Sequence, residues 1–443
     1  VVVPNHTALF SVIYQNELFE GDEPVIIHAH GLTPPSVLDG APYISSLPLE
    51  PGRQQLIEYP LLPHNTGTSF LHSHYSLQLG DGLAAPLIVQ GVPSASYPLY
   101  RELLSAQESV MFLQDVCPYT LDESQRALKQ KWFPHANTPS IYRKLFGKAG
   151  GGDPRVCNQQ AVYEFLKETY ENETKPFPEC PDVEEANSHD VFYDALIANG
   201  RSLQDPIKVK VNYGKYVRVR IINASGMTSY RIVVPPELVQ RTYIVAVDGQ
   251  LIHPLQLESF WLTNAQRADL LIRVPERSEM DVDTVFPILA ISEGNDFSQQ
   301  AGIILYPQAS YPVHVPNPPV ISTRVVGFMN NREEMLMHAW DPLPVRPVDK
   351  VFDLKLTGDN GFDSINGKSY QMVPEAPYQR NPDPLRVKLG QRIQVNFLNN
   401  NQDGHPMHLH GHRFQVVAID GKKLVNGAVR DTVIVQGGCH SVS

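Results

Sequence analysis

Half of the histidines in this chain are concentrated in three short patches. Eight of the 16 histidines lie in the segments His28-Ala29-His30, His72-Ser73-His74 and 405–412. Residues i and i+2 of a β-strand project from the same face, so each His-x-His directs two imidazoles the same way. Imidazole nitrogens bind copper, zinc, iron and nickel, and copper binds most tightly among these. The spacing therefore predicts a site for several metal ions, assembled from more than one strand.

Two common metalloenzyme patterns are absent from the sequence. No His-Glu-x-x-His segment of a zinc protease occurs, and no carboxylate stands beside the histidines as in a mononuclear iron site. A second grouping, Met329, Met335, Met337 and His338, has soft ligands that suit Cu(I). Methionines in an apolar stretch more often fill a core, and we expect packing there.

The surrounding sequence is patterned for strands and turns. The 443-residue chain contains 38 prolines, and turn clusters such as Thr33-Pro34-Pro35 separate short apolar runs. Alternation of apolar and polar residues predicts strands at 207–211, 217–221, 352–356 and 385–397. This pattern favours an all-β protein over a helical bundle.

The chain divides into three β units, of which the middle one is interrupted. We predict an all-β fold with β-sandwich domains at 1–95, 96–310 and 320–443. A proline-rich linker precedes the third domain. The stretch 118–192 is charged and contains two helix-like segments, so we predict a partly helical insertion in the second domain.

Composition and charge exclude several classes of protein. With 42% apolar and 19% charged residues, the chain has the composition of a folded protein and not of a disordered one. Its net charge of −11 argues against nucleic acid as a partner, because phosphate binding needs clustered Lys and Arg. No run of 18 apolar residues occurs, so no transmembrane segment is predicted.

Cysteines and glycosylation sequons favour an oxidising, extracellular compartment. None of the four cysteines forms a Cys-x-x-Cys pair, and three of them lie within 117–180. We predict a disulfide there, such as Cys157 with Cys180, although sequence leaves the pairing open. Asn-x-Ser/Thr sequons occur at Asn5, Asn172 and Asn223. The prediction is a secreted glycoprotein.

The histidine patches and their neighbours resemble the multicopper oxidases of the laccase and ferroxidase type. The matching segments cover most of the chain outside 118–192. They are Gly67–His74 with Gln78 and Asp81–Leu83, His405–Phe414, Gly214–Ile222, Val247–Gly249, Gln266–Asp269 and Arg430–Val433. The resemblance implies three cupredoxin-like domains, with the first and third meeting around a trinuclear copper cluster, and four copper ions in all.

The resemblance also implies which histidines bind which ion of the trinuclear cluster. The expected ligand pairs are His28 and His408 for type 2 copper, His30 and His72 for one type 3 ion, and His74 and His410 for the other. The paired residues come from the first and third domains or from two patches of the first domain. The cluster would therefore lie between domains.

Four further residues receive roles from the resemblance. His405 would bind type 1 copper, where electrons from the substrate enter, and His412 would support the cluster without binding metal. Asp39 and Asp81 would lie near the cluster, orient bound water and supply protons, a role that requires an acid within hydrogen-bond reach.

One motif of the family is missing from the printed sequence. The family continues after the third patch with a His-Cys-His segment, which carries the type 1 cysteine. Cys439-His440 does not replace it, because no histidine precedes this cysteine. We therefore expect the sequence to be incomplete at both ends, with the third domain unfinished, and the printed chain to be inactive by itself.

For the complete protein the resemblance implies a copper-dependent oxidoreductase. It would oxidise a phenol or aromatic amine by one electron at a time, as laccases do, and reduce O2 to water with four electrons. Two alternatives stay open: a ferroxidase that oxidises Fe(II), and a non-catalytic copper-binding cupredoxin protein. The sequence makes no prediction of the oligomeric state.

Overall fold

Strands form nearly all the regular structure in the computed structural model. It describes residues 1–4, 7–18, 24–75, 78–116, 195–279, 284–293, 300–307, 329–359, 362–368, 384–401, 404–437 and 440–443. The predicted insertion at 118–192 and all four cysteines lie outside these ranges. Within them, no helix is long and apolar enough to cross a membrane.

The first domain places two layers of strands around a small apolar core. Its strands are β1 (Val2–Val3), β2 (Leu9–Gln15), β3 (Ile27–His30), β4 (Gln54–Pro60), β5 (Gly67–Ser73) and β6 (Ala84–Val89). One sheet has the order β1-β6-β5-β3, and β2 and β4 form a second, two-stranded sheet. Ala29 and Leu71 are buried in the core with Tyr59. Because side chains alternate along a strand, the histidines beside Ala29 and Leu71 project from the opposite face.

The second domain is a sandwich of two larger sheets. Its elements are α1 (Tyr100–Ser105), β7 (Gln107–Val116), β8 (Ala195–Ala198), β9 (Ile207–Val211), β10 (Tyr216–Asn223), β11 (Tyr230–Val233), α2 (Pro236–Val239), β12 (Thr242–Val247), β13 (Gln250–Leu255), β14 (Ser259–Leu262), β15 (Arg267–Arg273), β16 (Phe286–Ser292) and β17 (Gln300–Pro307). The sheets have the orders β13-β12-β15-β10-β7-β8 and β14-β11-β16-β17-β9. Their facing apolar side chains form the largest core of the described residues.

The third domain combines one six-stranded sheet with two short two-stranded sheets. Its strands are β18 (Lys350–Asp359), β19 (Phe362–Ile365), β20 (Ile393–Asn399), β21 (His405–His408), β22 (Phe414–Gln415), β23 (Ala418–Ile419), β24 (Lys422–Lys423), β25 (Val429–Arg430), β26 (Thr432–Val435) and β27 (His440–Val442). The sheet has the order β19-β18-β20-β27-β23-β24, while β21 pairs with β26 and β22 with β25.

The predicted all-β class is confirmed, and most predicted strands are present. The segments 207–211, 217–221 and 352–356 lie in β9, β10 and β18. The prediction at 385–397 is wrong in its first half, because the strand begins only at Ile393. Leu385, Val387 and Leu389 are exposed, and Gly390, with a φ of +90°, turns the chain just before β20.

One face of β10 carries buried charges toward the first domain. Arg218 and Arg220 are 8% and 3% exposed, and both bind the carboxylate of Asp269 on β15. Thr68 of β5 joins them across the domain boundary: its hydroxyl donates to Asp269 Oδ1 (2.6 Å) and accepts from Arg220 Nη1 (2.9 Å). A buried charged group that loses a hydrogen-bond partner keeps its full desolvation cost, so each of these contacts matters for stability.

Replacing Thr68 with valine should destabilise the protein. The substitution keeps the side-chain shape but leaves Asp269 and Arg220 each one hydrogen bond short, which costs about 1–3 kcal/mol for buried partners. Denaturant unfolding measures the change in free energy of unfolding. Thr68→Ser retains the hydroxyl and is the matched control. A valine variant as stable as the serine variant would contradict this account of the domain contact.

Candidate metal centre

Six imidazoles meet where the first and third domains touch. Strands β3 and β5 pair with His28 opposite His72, which places His28, His30 and His72 on one face, with His74 directly after β5. The third domain supplies the remaining two, His408 and His410, from the end of β21 and the turn after it. The ring centroids are 4.1 Å apart for His28 and His410 and 3.8 Å apart for His30 and His408.

Backbone carbonyls fix the orientation of three of the rings. The Nδ1 atoms of His28, His72 and His408 lie 2.6, 2.9 and 2.8 Å from the carbonyl oxygens of Asp39, Ser73 and Asp431, respectively. A carbonyl oxygen only accepts, so each Nδ1 carries the proton and donates it. The Nε2 atom of each ring is left unprotonated, which is the form that binds a metal ion.

Two pairs of Nε2 atoms face each other across the domain boundary. His28 and His408 approach to 3.3 Å, and His74 and His410 approach to 3.1 Å. Two imidazole nitrogens on one ion, each about 2.0–2.1 Å from it, are themselves roughly 3 Å apart. Each pair therefore has the spacing of two ligands to one ion, and the copper type that each pair holds stays a prediction.

His30 is oriented the other way. Its Nε2 lies 3.2 Å from Asp431 Oδ1 and 3.1 Å from the hydroxyl of Thr432. An ionised carboxylate only accepts, so His30 Nε2 carries the proton and Nδ1 is the nitrogen left for a metal ion. Among the described residues, His28, His30 and His408 form one group with ligand atoms within 4.8 Å of one another, and His28, Asp39 and His410 form a second.

Asp39 lies between two rings of the centre. Its Oδ2 accepts from His410 Nδ1 at 2.8 Å, and its Oδ1 is 3.3 Å from His28 Nδ1. Burial by itself would raise the pKa of Asp39, but hydrogen bonds from the two imidazoles outweigh it and hold the pKa well below the ordinary value. Asp39 is therefore a carboxylate at neutral pH.

Burial favours the neutral form of five of the imidazoles. It lowers the pKa of His74 to about 4 and that of His408 to about 3, and it also lowers the pKa values of His28, His30 and His72. Neutral imidazole is the form that ligates metal, so these five rings need no deprotonation at pH 7. An all-imidazole donor set with one adjoining carboxylate fits copper.

The other predicted site residues lie apart from the six rings. His405 begins β21, and its Nε2 is 2.8 Å from the side-chain amide of Asn401. His412 is exposed, with Nδ1 3.0 Å from the carbonyl oxygen of His410. Asp81 is exposed in the turn between β5 and β6, and no hydrogen bond or ion pair joins it to the six histidines in the described ranges. Its catalytic role stays a prediction.

The methionine grouping is dispersed among different cores, as expected for packing. Met329 packs with Trp261 and Ile434, whereas Met337 belongs to the core of the second domain. Met335 packs against the core of the third domain. These three side chains therefore do not converge on one ion.

Sequence reasoning gave no role to the residues that hold His30. Asp431 is 2% exposed, and its carboxylate accepts hydrogen bonds from Nη1 and Nη2 of Arg267 at 2.7 and 2.5 Å. Asp248 accepts from the backbone N–H of Arg267 at 2.9 Å. The sequence signal was their position in the family-like segments 247–249, 266–269 and 430–433, which does not reveal their partners.

Comparison with known proteins gives one family in three stretches of the chain. Residues 5–94, 162–304 and 348–442 match families described as multicopper oxidase. Multicopper oxidase MmcO of Mycobacterium tuberculosis is 26% identical over 93% of this chain and 69% of its own length. The iron transport multicopper oxidase fetC of Epichloe festucae is 22% identical, covering 90% and 57% of the two chains. Laccase-3 of Thanatephorus cucumeris is 21% identical, covering 98% and 78%.

Solved structures share the fold. Fet3p, a multicopper oxidase that functions in iron import, superimposes with a TM-score of 0.67 at 17% identity, covering all of this chain and 78% of its own. The laccase of Botrytis aclada gives 0.64 at 20% identity, covering 98% and 74%. The first and third matched stretches carry all six histidines of the metal centre, and the chain belongs to the multicopper oxidase family.

Proposed function

We propose that the complete protein is a copper-dependent oxidase that takes single electrons from a small substrate and reduces O2 to water. The observation that carries this proposal is the convergence of six imidazoles from two domains. Their paired Nε2 atoms are spaced for shared ions. Members of the family bind type 1, type 2 and type 3 copper.

The chain's own residues would hold the ions and manage protons around them. Copper, when bound, supplies the electron storage and the binding of O2. The six imidazoles fix its position, and Asp39 and the backbone carbonyls fix the imidazoles. Asp39 Oδ1 has a single longer contact of 3.3 Å, so it is placed to accept a hydrogen bond from water beside the cluster.

We further propose that the reducing substrate is a phenol or aromatic amine. Within the described ranges, which leave out Asp403, the side chain hydrogen-bonded to Nε2 of His405, the expected point of electron entry, is the neutral amide of Asn401. An amide contributes no net charge to attract Fe(II), whereas a carboxylate at the same place would. Ferroxidase activity is the alternative, and the relatives' names include both laccases and iron oxidases.

Secretion also stays a proposal, but one of the three sequons no longer supports it. Asn223 is fully buried and its amide donates to the carbonyl oxygens of Thr228 and Leu262, so the folded protein does not present this sequon for glycosylation. Asn5 and Asn172 lie outside the described residues. They are the two positions at which a glycan would support an extracellular location.

Loss of one cluster imidazole should reduce copper content. His410→Ala removes the partner of His74 Nε2 and one of the two rings that donate to Asp39. We expect the purified variant to retain at least one copper ion fewer per chain than the native protein, as measured by elemental analysis. His253→Ala is the control, because His253 is exposed and contacts Trp340 away from the centre. Equal copper contents in both variants would argue against the proposed ligands.

Copper binding should depend on pH at lower values than for ordinary histidines. The pKa of His74 is about 4 and that of His408 about 3, against about 6.5 for a free imidazole. Competition titrations should therefore give nearly constant affinity from about pH 7 to pH 5 and weaker binding below about pH 4. A progressive loss of copper affinity centred near pH 6.5 would contradict this prediction.

The same shifts predict how acid affects the metal-free protein. Between about pH 6.5 and pH 4 the unfolded chain binds more protons at these histidines than the folded chain does. Their contribution therefore makes the free energy of unfolding of the metal-free protein fall as the pH falls through this window. Denaturant unfolding at several pH values measures the trend.

A charge introduced beside His405 should change substrate preference. In Asn401→Asp, the new carboxylate attracts Fe(II), and roughly 1 kcal/mol of added attraction would raise kcat/KM for Fe(II) relative to a phenol about fivefold. Steady-state kinetics of the complete protein with both substrates measure the ratio. Asn426→Asp adds the same charge at an exposed turn and is the control. Efficient Fe(II) oxidation without phenol oxidation in the native protein would overturn the laccase preference.

A further inference from the structure

A single arginine of the middle domain contacts both domains that form the metal centre. Arg267 is fully buried on β15, and its Nε donates to the carbonyl oxygen of Thr68 in the first domain at 3.0 Å. Its Nη1 and Nη2 donate to the two carboxylate oxygens of Asp431 in the third domain. A bidentate contact of this kind fixes the plane of the carboxylate as well as its position.

Asp431 in turn contacts two rings of the centre with different parts of the same residue. Its Oδ1 accepts from His30 Nε2 at 3.2 Å, and its backbone carbonyl accepts from His408 Nδ1 at 2.8 Å. The hydroxyl of Thr432 donates to Asp431 Oδ1 at 3.0 Å, which completes the hydrogen bonds of that oxygen. The residue therefore holds one imidazole through Nε2 and another through Nδ1.

This difference decides which nitrogen each ring presents to metal. The carbonyl partners leave Nε2 available in His28, His72 and His408, whereas the carboxylate partner leaves Nδ1 available in His30. His30 is 2% exposed, so no solvent contact competes for its ring nitrogens. Without the Asp431 carboxylate, the tautomer of His30 that carries its proton on Nε2 would lose its charged hydrogen-bond acceptor.

The backbone at Gly31 makes room for this arrangement. Gly31 has a φ of +99°, and a Cβ atom there would lie 2.8 Å from Arg267 Nη2 and 2.5 Å from Ser69 Oγ. The glycine that follows the first histidine patch thus lets the guanidinium approach the back of the His30 strand. Asp248 holds the other side of Arg267 through the backbone N–H and lies 3.5 Å from its Nη1.

We propose that Asp431 and Arg267 are positioning residues of the metal centre. Asp431 selects the nitrogen that His30 presents to copper, and Arg267 holds Asp431 in place. The middle domain thereby controls a site to which its described residues give no ligand. This inference rests on the copper centre of the proposed function.

Asp431→Asn is the direct test, because it preserves shape and removes the charge. If the amide oxygen faces His30, the amide NH2 meets the donor groups of Arg267; if the amide is turned round, His30 Nε2 must accept and its proton moves to Nδ1. Either arrangement damages the ligand. We expect copper affinity, measured by competition with a chromophoric chelator, to fall about 10–100-fold.

Asp269→Asn is the matched control. Asp269 is also buried on β15 and paired with two arginines, and it also contacts the first domain through Thr68, but its partners among the described residues include no histidine. Both variants should unfold more easily than the native protein. Only Asp431→Asn should lose copper affinity and alter the EPR spectrum of bound Cu(II).

The possible outcomes separate the two proposals. If the native protein binds no copper at these histidines, the proposed function fails. If the native protein binds copper and both variants keep its affinity and spectrum, or both lose them equally, the positioning role is overturned. Should Asp431→Asn fail to fold, Arg267→Lys is the second test, because lysine keeps the positive charge but cannot donate two parallel hydrogen bonds to the carboxylate. It should then show the same selective loss of copper affinity, and native affinity in that variant would equally overturn the inference.

Discussion

The buried ion pair between Arg267 and Asp431 is the contact on which the rest of this structure depends. Both side chains are almost completely removed from solvent, and the two residues together contact Thr68 in the first domain and His30 and His408 in the metal centre. A buried ion pair adds little net stability over an apolar pair of similar volume, but breaking it is costly. Its physical effect is therefore to fix geometry.

The domain boundaries contain several such groups in near-neutral combinations. Four buried arginines are balanced mainly by four acidic residues, namely Arg218, Arg220, Arg267 and Arg430 with Asp248, Asp269, Asp431 and Glu334. Apolar packing, as between Phe70 and Phe112, supplies attraction between domains but tolerates small shifts. Directional ionic contacts do not tolerate them, so the two kinds of contact together hold ligands from separate domains within one site.

Sequence reasoning identified the histidines that converge at the centre, but not the residues that support them. The His-x-His spacing is sufficient to place His28 and His30 on one face, because strand alternation is local. Alternation at 217–221 likewise predicted a strand, yet it did not show that the charged face of β10 is buried against another domain. Nothing local pairs Arg267 with Asp431, which lie 164 residues apart, since that contact exists only after the domains have docked.

The separation of the histidines along the chain determines when they can meet during synthesis of the protein. His28 and His408 face each other at 3.3 Å but are separated by 380 residues. At about 5–20 residues per second, the ribosome needs roughly 20–80 s to pass from one to the other, while the first domain is free to fold. Throughout that interval the first domain displays its histidines without their partners. The full set of six imidazoles can thus be assembled only after the third domain has emerged and docked, so completion of the proposed copper centre belongs to the last stage of maturation.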